Sequence, residues 1–102
     1  VHNGLTAFEG ACAALQRFRR QGGTVILVSN APVPKYRVAD MLETRNVPAD
    51  CWDDIVSSGA IALEHIKERG FERLYLIGPR DRDQAFFNLI DAKSVHLDQA
   101  QA

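Results

Sequence analysis

The sequence has few cysteines, no excess of either charge and no long apolar run, and each absence excludes a class of protein. Its two cysteines, Cys12 and Cys51, form no CxxC pair, so we expect reduced, packed thiols rather than a disulfide scaffold. The formal net charge of -1, from 12 Lys+Arg and 13 Asp+Glu, argues against a nucleic-acid partner. Apolar runs such as residues 24–28 are far shorter than the roughly 20 residues of a membrane span, so we expect no membrane partner.

Targeting signals and the common cofactor motifs are also missing. The first residues lack the basic and apolar regions of a signal peptide, which predicts a cytoplasmic protein. His2, His65 and His96 have no metal-ligand spacing, so we expect no metal site among the residues present. No GxGxxG, GxxxxGK[ST] or GxSxG motif occurs, which argues against dinucleotide, P-loop and serine-hydrolase sites of those types.

The residues that are present alternate between helical and strand patterns. A composition of 46% hydrophobic and 25% charged residues is typical of one globular domain. Ala11, Ala14, Leu15 and Phe18 share one face of the first predicted helix, and the unbroken apolar run 24–28 predicts a strand buried on both faces. The pattern predicts helices at 9–21, 34–46, 60–69 and around 85–90, and strands at 24–28, 55–56, 73–77 and 94–97. This alternation predicts an α/β fold with one parallel sheet covered by helices on both faces.

Polar residues follow three of the predicted strands. Ligands of parallel α/β sheets bind beyond the carboxyl ends of the strands, so Ser29-Asn30, Ser57-Ser58 and 78–80 are the candidate sites. Ser29 and Asn30 either bind an anion such as phosphate or only turn the chain. Ser57 and Ser58 are more typical of a helix N-cap, and Lys35 is more typical of a surface lysine than of an anion ligand.

Several runs of the sequence together resemble the haloacid dehalogenase superfamily, and within it the class IIA branch of sugar-phosphate and nitrophenyl-phosphate phosphatases. The matching runs are 2–4, 8–11, 22–32, 55–59 and 74–79. The resemblance implies a three-layer, Rossmann-like parallel sheet with helices on both faces, which is incomplete in this chain. Because the chain begins with Val1 and the match covers only the amino-terminal part of such a protein, we expect residues 1–102 to be a partial core domain.

The resemblance also implies a chemistry. In this superfamily a strand-end aspartate attacks a phosphoryl group, Mg²⁺ neutralises the phosphoryl oxygens, and a strand-end serine or threonine binds the group in transfer. Ser29 occupies that serine position and Asn30 follows it, which makes both predicted phosphate-binding residues. The nucleophile is expected upstream of Val1, and the later lysine and acidic motifs and the cap domain are absent. Ala31-Pro32 replaces the Asn-Ser of many relatives, so part of the phosphate pocket differs here.

Two hypotheses follow from these features. In the first, the intact protein is a Mg²⁺-dependent phosphatase of small phosphorylated metabolites, acting through an aspartyl-phosphate, and this chain alone is inactive. In the second, the chain is a non-catalytic α/β module that binds an anion or serves in assembly. A truncated sheet with an unpaired edge also favours pairing with another copy, so homo-oligomer formation stays open in both.

Overall fold

Four helices and four short strands alternate along the chain, as the sequence pattern predicts. The computed structural model describes residues 1–102, with short 3₁₀ turns at Ala49–Cys51 and Leu97–Gln99. The helices are α1 (Glu9–Arg20), α2 (Lys35–Thr44), α3 (Ser58–Arg69) and α4 (Arg80–Phe87). The strands are β1 (Ile26–Ser29), β2 (Asp54–Ser57), β3 (Arg73–Leu74) and β4 (Lys93–Ser94). The molecule therefore has the predicted α/β fold.

Local chemistry explains where the helices begin and end. Helix α1 has Glu9 in its first turn and arginines in its last, which complements the helix dipole. Helix α3 begins after Ser57, whose side chain accepts a hydrogen bond from the Ala60 N–H, and ends at Gly70. Gly70 has a φ of 64°, a left-handed conformation that glycine adopts without a Cβ clash.

All strand pairing is parallel, but the strands form two sheets rather than the predicted one. β1 pairs with β2, and β3 pairs with β4. The other side of β3 is occupied by the chain terminus, because the Gln101 N–H donates to the Arg73 carbonyl and the Tyr75 N–H donates to the Ala102 carbonyl. In this structure β3 is therefore paired on both sides and does not join the first sheet.

The buried core lies on one face of the β1–β2 sheet, beneath α1 and α2. It consists of Cys12, Val38, Leu42, Val47, Cys51 and Ile55. Both cysteines are free and buried, which confirms the prediction of packed, reduced thiols. The radius of gyration, 16.9 Å, exceeds the about 13 Å of a compact domain of this length. The molecule is therefore elongated, and its core belongs mainly to the first sheet.

Two predicted buried faces are correct only in part. On α1, Leu15 packs against the core as predicted and Cys12 is buried, whereas Phe18 is 53% exposed. The Arg19 side chain of this helix donates to the Asp50 carbonyl at 2.6 Å. On β1, Val28 is 81% exposed, so the strand is not buried on both faces. Alternate residues of β1 face opposite sides, and only the side toward α1 and α2 is filled.

The second sheet is shorter than its sequence pattern predicts. β3 ends at Leu74 rather than Ile77, which is 85% exposed, and β4 covers Lys93–Ser94 rather than 94–97. Helix α4 ends at Phe87 and has no buried residue. With so little apolar surface covered, hydrogen bonds of the terminal residues hold this part together. No helix is long and apolar enough to cross a membrane.

Candidate functional site

The carboxyl ends of β1 and β2 bring two of the three candidate segments together. Ser29 is the register partner of Ser57 in the parallel ladder, so Asn30 and Ser58 leave the sheet side by side. The third candidate, residues 78–80, follows β3 in the other sheet and does not share this edge. The candidate site is therefore the loop after β1 together with the start of α3.

Ser57 is a structural residue of this edge. Its side chain is fully buried, and its hydroxyl donates to the Val33 carbonyl at 2.6 Å while accepting the Ala60 N–H at 3.2 Å. These two bonds cap α3 and fix the loop after β1. The N-cap interpretation of this serine is thereby confirmed, and its hydroxyl proton is not available to a ligand.

Ser58 and Gly59 form hydrogen bonds to the beginning of the same loop. The Ser58 hydroxyl lies 2.9 Å from the Asn30 carbonyl oxygen and 2.8 Å from that of Ala31, and the Gly59 N–H donates to Ala31 at 3.2 Å. A Cβ on Gly59 would lie 2.3 Å from the Val33 nitrogen, so only glycine permits this approach. Sequence reasoning missed this positioning role, although a glycine in the first turn of a helix after a strand-end serine pair is a visible signal.

Ser29 and Asn30 keep hydrogen-bond donors that the protein does not use. The Ser29 Oγ accepts the Ala31 N–H at 3.1 Å, which orients the half-buried side chain and leaves its hydroxyl proton without a protein acceptor. Asn30 is exposed; its carbonyl is engaged by Ser58, and its side-chain amide makes no hydrogen bond. Two neutral donors on a rigid loop can bind the oxygens of an anion.

Lys35 does not contribute a positive charge to this pair. Its Nζ lies 3.2 Å from Asp54 Oδ1, and both side chains are more than half exposed. The pKa of Asp54 is lowered first by the Ile55 N–H and then by Lys35. Lys35 is thus a surface lysine in an ion pair, which agrees with the prediction from the sequence that it is not an anion ligand.

The open grooves of the molecule differ in the ligands they fit. One groove, of about 980 Å³, lies between α3 and residues 89–91, and its lining includes the carboxylates of Glu64, Glu68, Glu72 and Asp91 and one ammonium group, that of Lys67. With four carboxylates and one ammonium group, the net negative charge of this groove opposes an anionic ligand. A second groove, of about 490 Å³, runs from Ser29 along α3 past Val28 and Ile61. Its accessible walls are apolar, so this groove itself offers no contacts to an anion.

Comparisons with known proteins match this architecture. Residues 1–89 match the family model described as haloacid dehalogenase-like hydrolase. The chain belongs to that family. A crystal structure described as a hydrolase of the haloacid dehalogenase-like family, from Brucella suis 1330, is 37% identical with a TM-score of 0.77. The match covers 98% of this chain and 36% of that one. A comparison with curated proteins gives no match.

Family membership confirms the resemblance to the haloacid dehalogenase superfamily. The residues present limit what that membership implies for this chain. The chain spans 36% of the length of the Brucella hydrolase. No group of three His, Cys, Asp or Glu side chains lies close enough to hold a metal ion. The donor set at the strand ends, a hydroxyl and a carboxamide, fits an anion rather than Mg²⁺, which prefers carboxylate oxygens. These residues of the haloacid dehalogenase-like chain therefore do not form a magnesium site.

Proposed function

We propose that this chain supplies the phosphate-binding strand ends of a haloacid dehalogenase-like phosphatase of the class IIA branch. Its substrates are small phosphorylated metabolites, and its complete site uses Mg²⁺ and an aspartate nucleophile, neither of which these residues provide. The observation that carries the proposal is the pair of unused donors, Ser29 Oγ–H and the Asn30 amide, at the carboxyl end of a parallel strand.

The proposed role of the two donors follows from the hydrogen bonds that hold their loop in place. Ser57, Ser58 and Gly59 fix the loop by hydrogen bonds to backbone carbonyls, so the donors need little reorganisation when a phosphoryl group binds. Ser29 donates its proton to one phosphoryl oxygen, and the Asn30 amide donates to another. Because both are neutral, they stabilise the charge that develops during transfer without forming an ion pair that traps the product phosphate.

The test is a phosphatase assay of the intact protein carrying this sequence, with p-nitrophenyl phosphate and Mg²⁺. We expect Ser29→Ala to lower kcat/KM by about 10²-fold or more, the effect of removing one preorganised donor. Ser94→Ala, in the exposed strand β4, is the matched control and is expected to retain full activity. Equal activity of Ser29→Ala and wild type would refute the role of Ser29. No Mg²⁺-dependent hydrolysis of any phosphomonoester by the folded wild type would refute the phosphatase.

A further inference from the structure

The loop between β1 and α2 directs its backbone carbonyl groups toward the start of α3. The carbonyl oxygens of Asn30 and Ala31 lie 2.9 Å and 2.8 Å from the Ser58 hydroxyl. Further along the loop, the Val33 carbonyl accepts the Ser57 hydroxyl at 2.6 Å. These contacts fix the orientation of three peptide groups of the loop.

Each of these carbonyl groups fixes the direction of the nitrogen that follows it. No peptide bond of the molecule is cis, and in a trans peptide the C=O and the next N–H point in opposite directions. The Ala31 N–H, which follows the Asn30 carbonyl, accordingly turns away from α3 and donates to the Ser29 Oγ at 3.1 Å. The Pro32 nitrogen follows the Ala31 carbonyl and faces the same side. An N–H at position 32 would therefore point to the side of the loop that carries the Ser29 hydroxyl.

Proline occupies two of the positions at which an N–H would point away from α3. Pro32 follows the Ala31 carbonyl, and Pro34 follows the Val33 carbonyl. A proline nitrogen carries a ring carbon in place of the hydrogen, so neither residue can donate to an anion. The loop is thus held in the orientation that would present main-chain donors to a bound phosphate, but it lacks those donors at both positions.

We propose that Pro32 determines the affinity of this site for phosphate: it withholds a main-chain donor and so keeps phosphate binding weak. The inference rests on the proposed function, because it takes the phosphoryl group to lie beside the Ser29 hydroxyl. A further donor in the ground state would bind substrate and product phosphate alike, and such uniform binding does not raise kcat. It would also slow the release of phosphate, since tighter binding acts mainly on the dissociation rate.

The test is calorimetric titration of inorganic phosphate into the intact protein carrying this sequence, in the presence of Mg²⁺. Pro32→Ala restores the N–H at an exposed position, and alanine adopts the φ of proline without strain. Because a hydrogen bond to a charged group is a strong one, we expect the Kd for phosphate to fall by about tenfold. The inhibition constant of phosphate against p-nitrophenyl phosphate hydrolysis is expected to fall by the same factor. Pro48→Ala is the matched control, because Pro48 is also an exposed loop proline but precedes the amino end of β2; it is expected to change neither constant.

A double-mutant cycle separates the added donor from a more flexible loop. Ser58→Ala removes one of the bonds that orient the Ala31 carbonyl, so Pro32→Ala is expected to gain less affinity in that background. A gain that is undiminished there, or equal in Pro48→Ala, would overturn the inference. So would an unchanged Kd in Pro32→Ala when the wild type hydrolyses p-nitrophenyl phosphate, a result that leaves the proposed function intact. A folded wild type that neither binds phosphate nor hydrolyses a phosphomonoester would overturn both.

Discussion

Replacing Gly59 with alanine tests the packing that holds the candidate site. Within a helix, glycine to alanine ordinarily stabilises by about 1 kcal/mol. At Gly59 the added Cβ would lie 2.3 Å from the Val33 nitrogen and 2.6 Å from its carbonyl carbon and oxygen. These are backbone atoms, which cannot rotate away as the end of a side chain can. We therefore expect the opposite sign, a loss of stability.

The expected loss of stability in Gly59→Ala follows from the shift of the loop that the added Cβ requires. The loop has to retreat from α3 by roughly 1 Å to reach ordinary contact. That retreat weakens the 2.6 Å bond from Ser57 to Val33 and the 3.2 Å bond from Gly59 to Ala31. Overpacking costs about 1–3 kcal/mol, and leaving the buried Ser57 hydroxyl without its acceptor costs about as much. After the gain in helix propensity, we expect a net loss of about 2–4 kcal/mol.

The assay is urea unfolding of the 102-residue chain, followed by circular dichroism at one fixed protein concentration for all variants. Gly10→Ala is the matched control. Gly10 also lies in the first turn of a helix, α1, but a Cβ there would meet nothing within 4 Å. It is expected to be neutral or slightly stabilising. If Gly59→Ala is as stable as wild type, the argument that this contact fixes the site is wrong.

Two further predictions concern ionisable side chains. Burial, together with a hydrogen bond to Cys12, raises the pKa of the Cys51 thiol to about 11. At pH 8 its thiolate fraction is therefore roughly 100-fold below that of an ordinary thiol. A thiol reagent should modify Cys51 rapidly only in denaturant, and rapid modification of the native chain would contradict this burial. Arg19, and then the Val25 N–H, hold the pKa of Asp53 below its usual range. Its stabilisation is present above the unfolded pKa of about 3.9 and is lost as pH falls through the lower folded value. Asp53→Asn should thus lower the urea midpoint at pH 6 but much less at pH 3, whereas the exposed Asp98→Asn should have no effect at either pH.

Local patterns predicted the elements because their signals lie within a few residues of each other. The spacing of apolar residues and the flanking charges predicted α1, and Gly70 predicted the end of α3, within one residue. The parallel pairing of β1 and β2 followed from the intervening helix, which a crossover connection requires. Because parallel strands end at a common edge, this pairing makes Ser29 and Ser57 neighbours in the structure.

Long-range contacts decided the features that these patterns missed. The rotation of α1 depends on bonds from Arg19 to Asp50 and Asp53, more than thirty residues away. In the second sheet, the side chain and backbone of Gln101 bond to Glu72 and Arg73 at the start of β3, nearly thirty residues away. Neither contact changes the apolar periodicity that predicts a helix or strand. Such errors therefore concern which face of a helix is buried and which strands pair. The prediction that each helix or strand exists is unaffected.

The two serines at the first strand edge show why the structural and ligand-binding interpretations of a strand-end hydroxyl must be decided one residue at a time. In sequence, Ser29 and Ser57 are similar, since each ends a strand that precedes a helix, although Ser57 is the more typical N-cap. Ser57 uses its oxygen and its proton within the fold, whereas Ser29 uses only its oxygen. A hydroxyl can donate only one proton, so an anion at this edge can be bound by Ser29 and not by Ser57. The cap on α3 thus supports the site instead of competing with it.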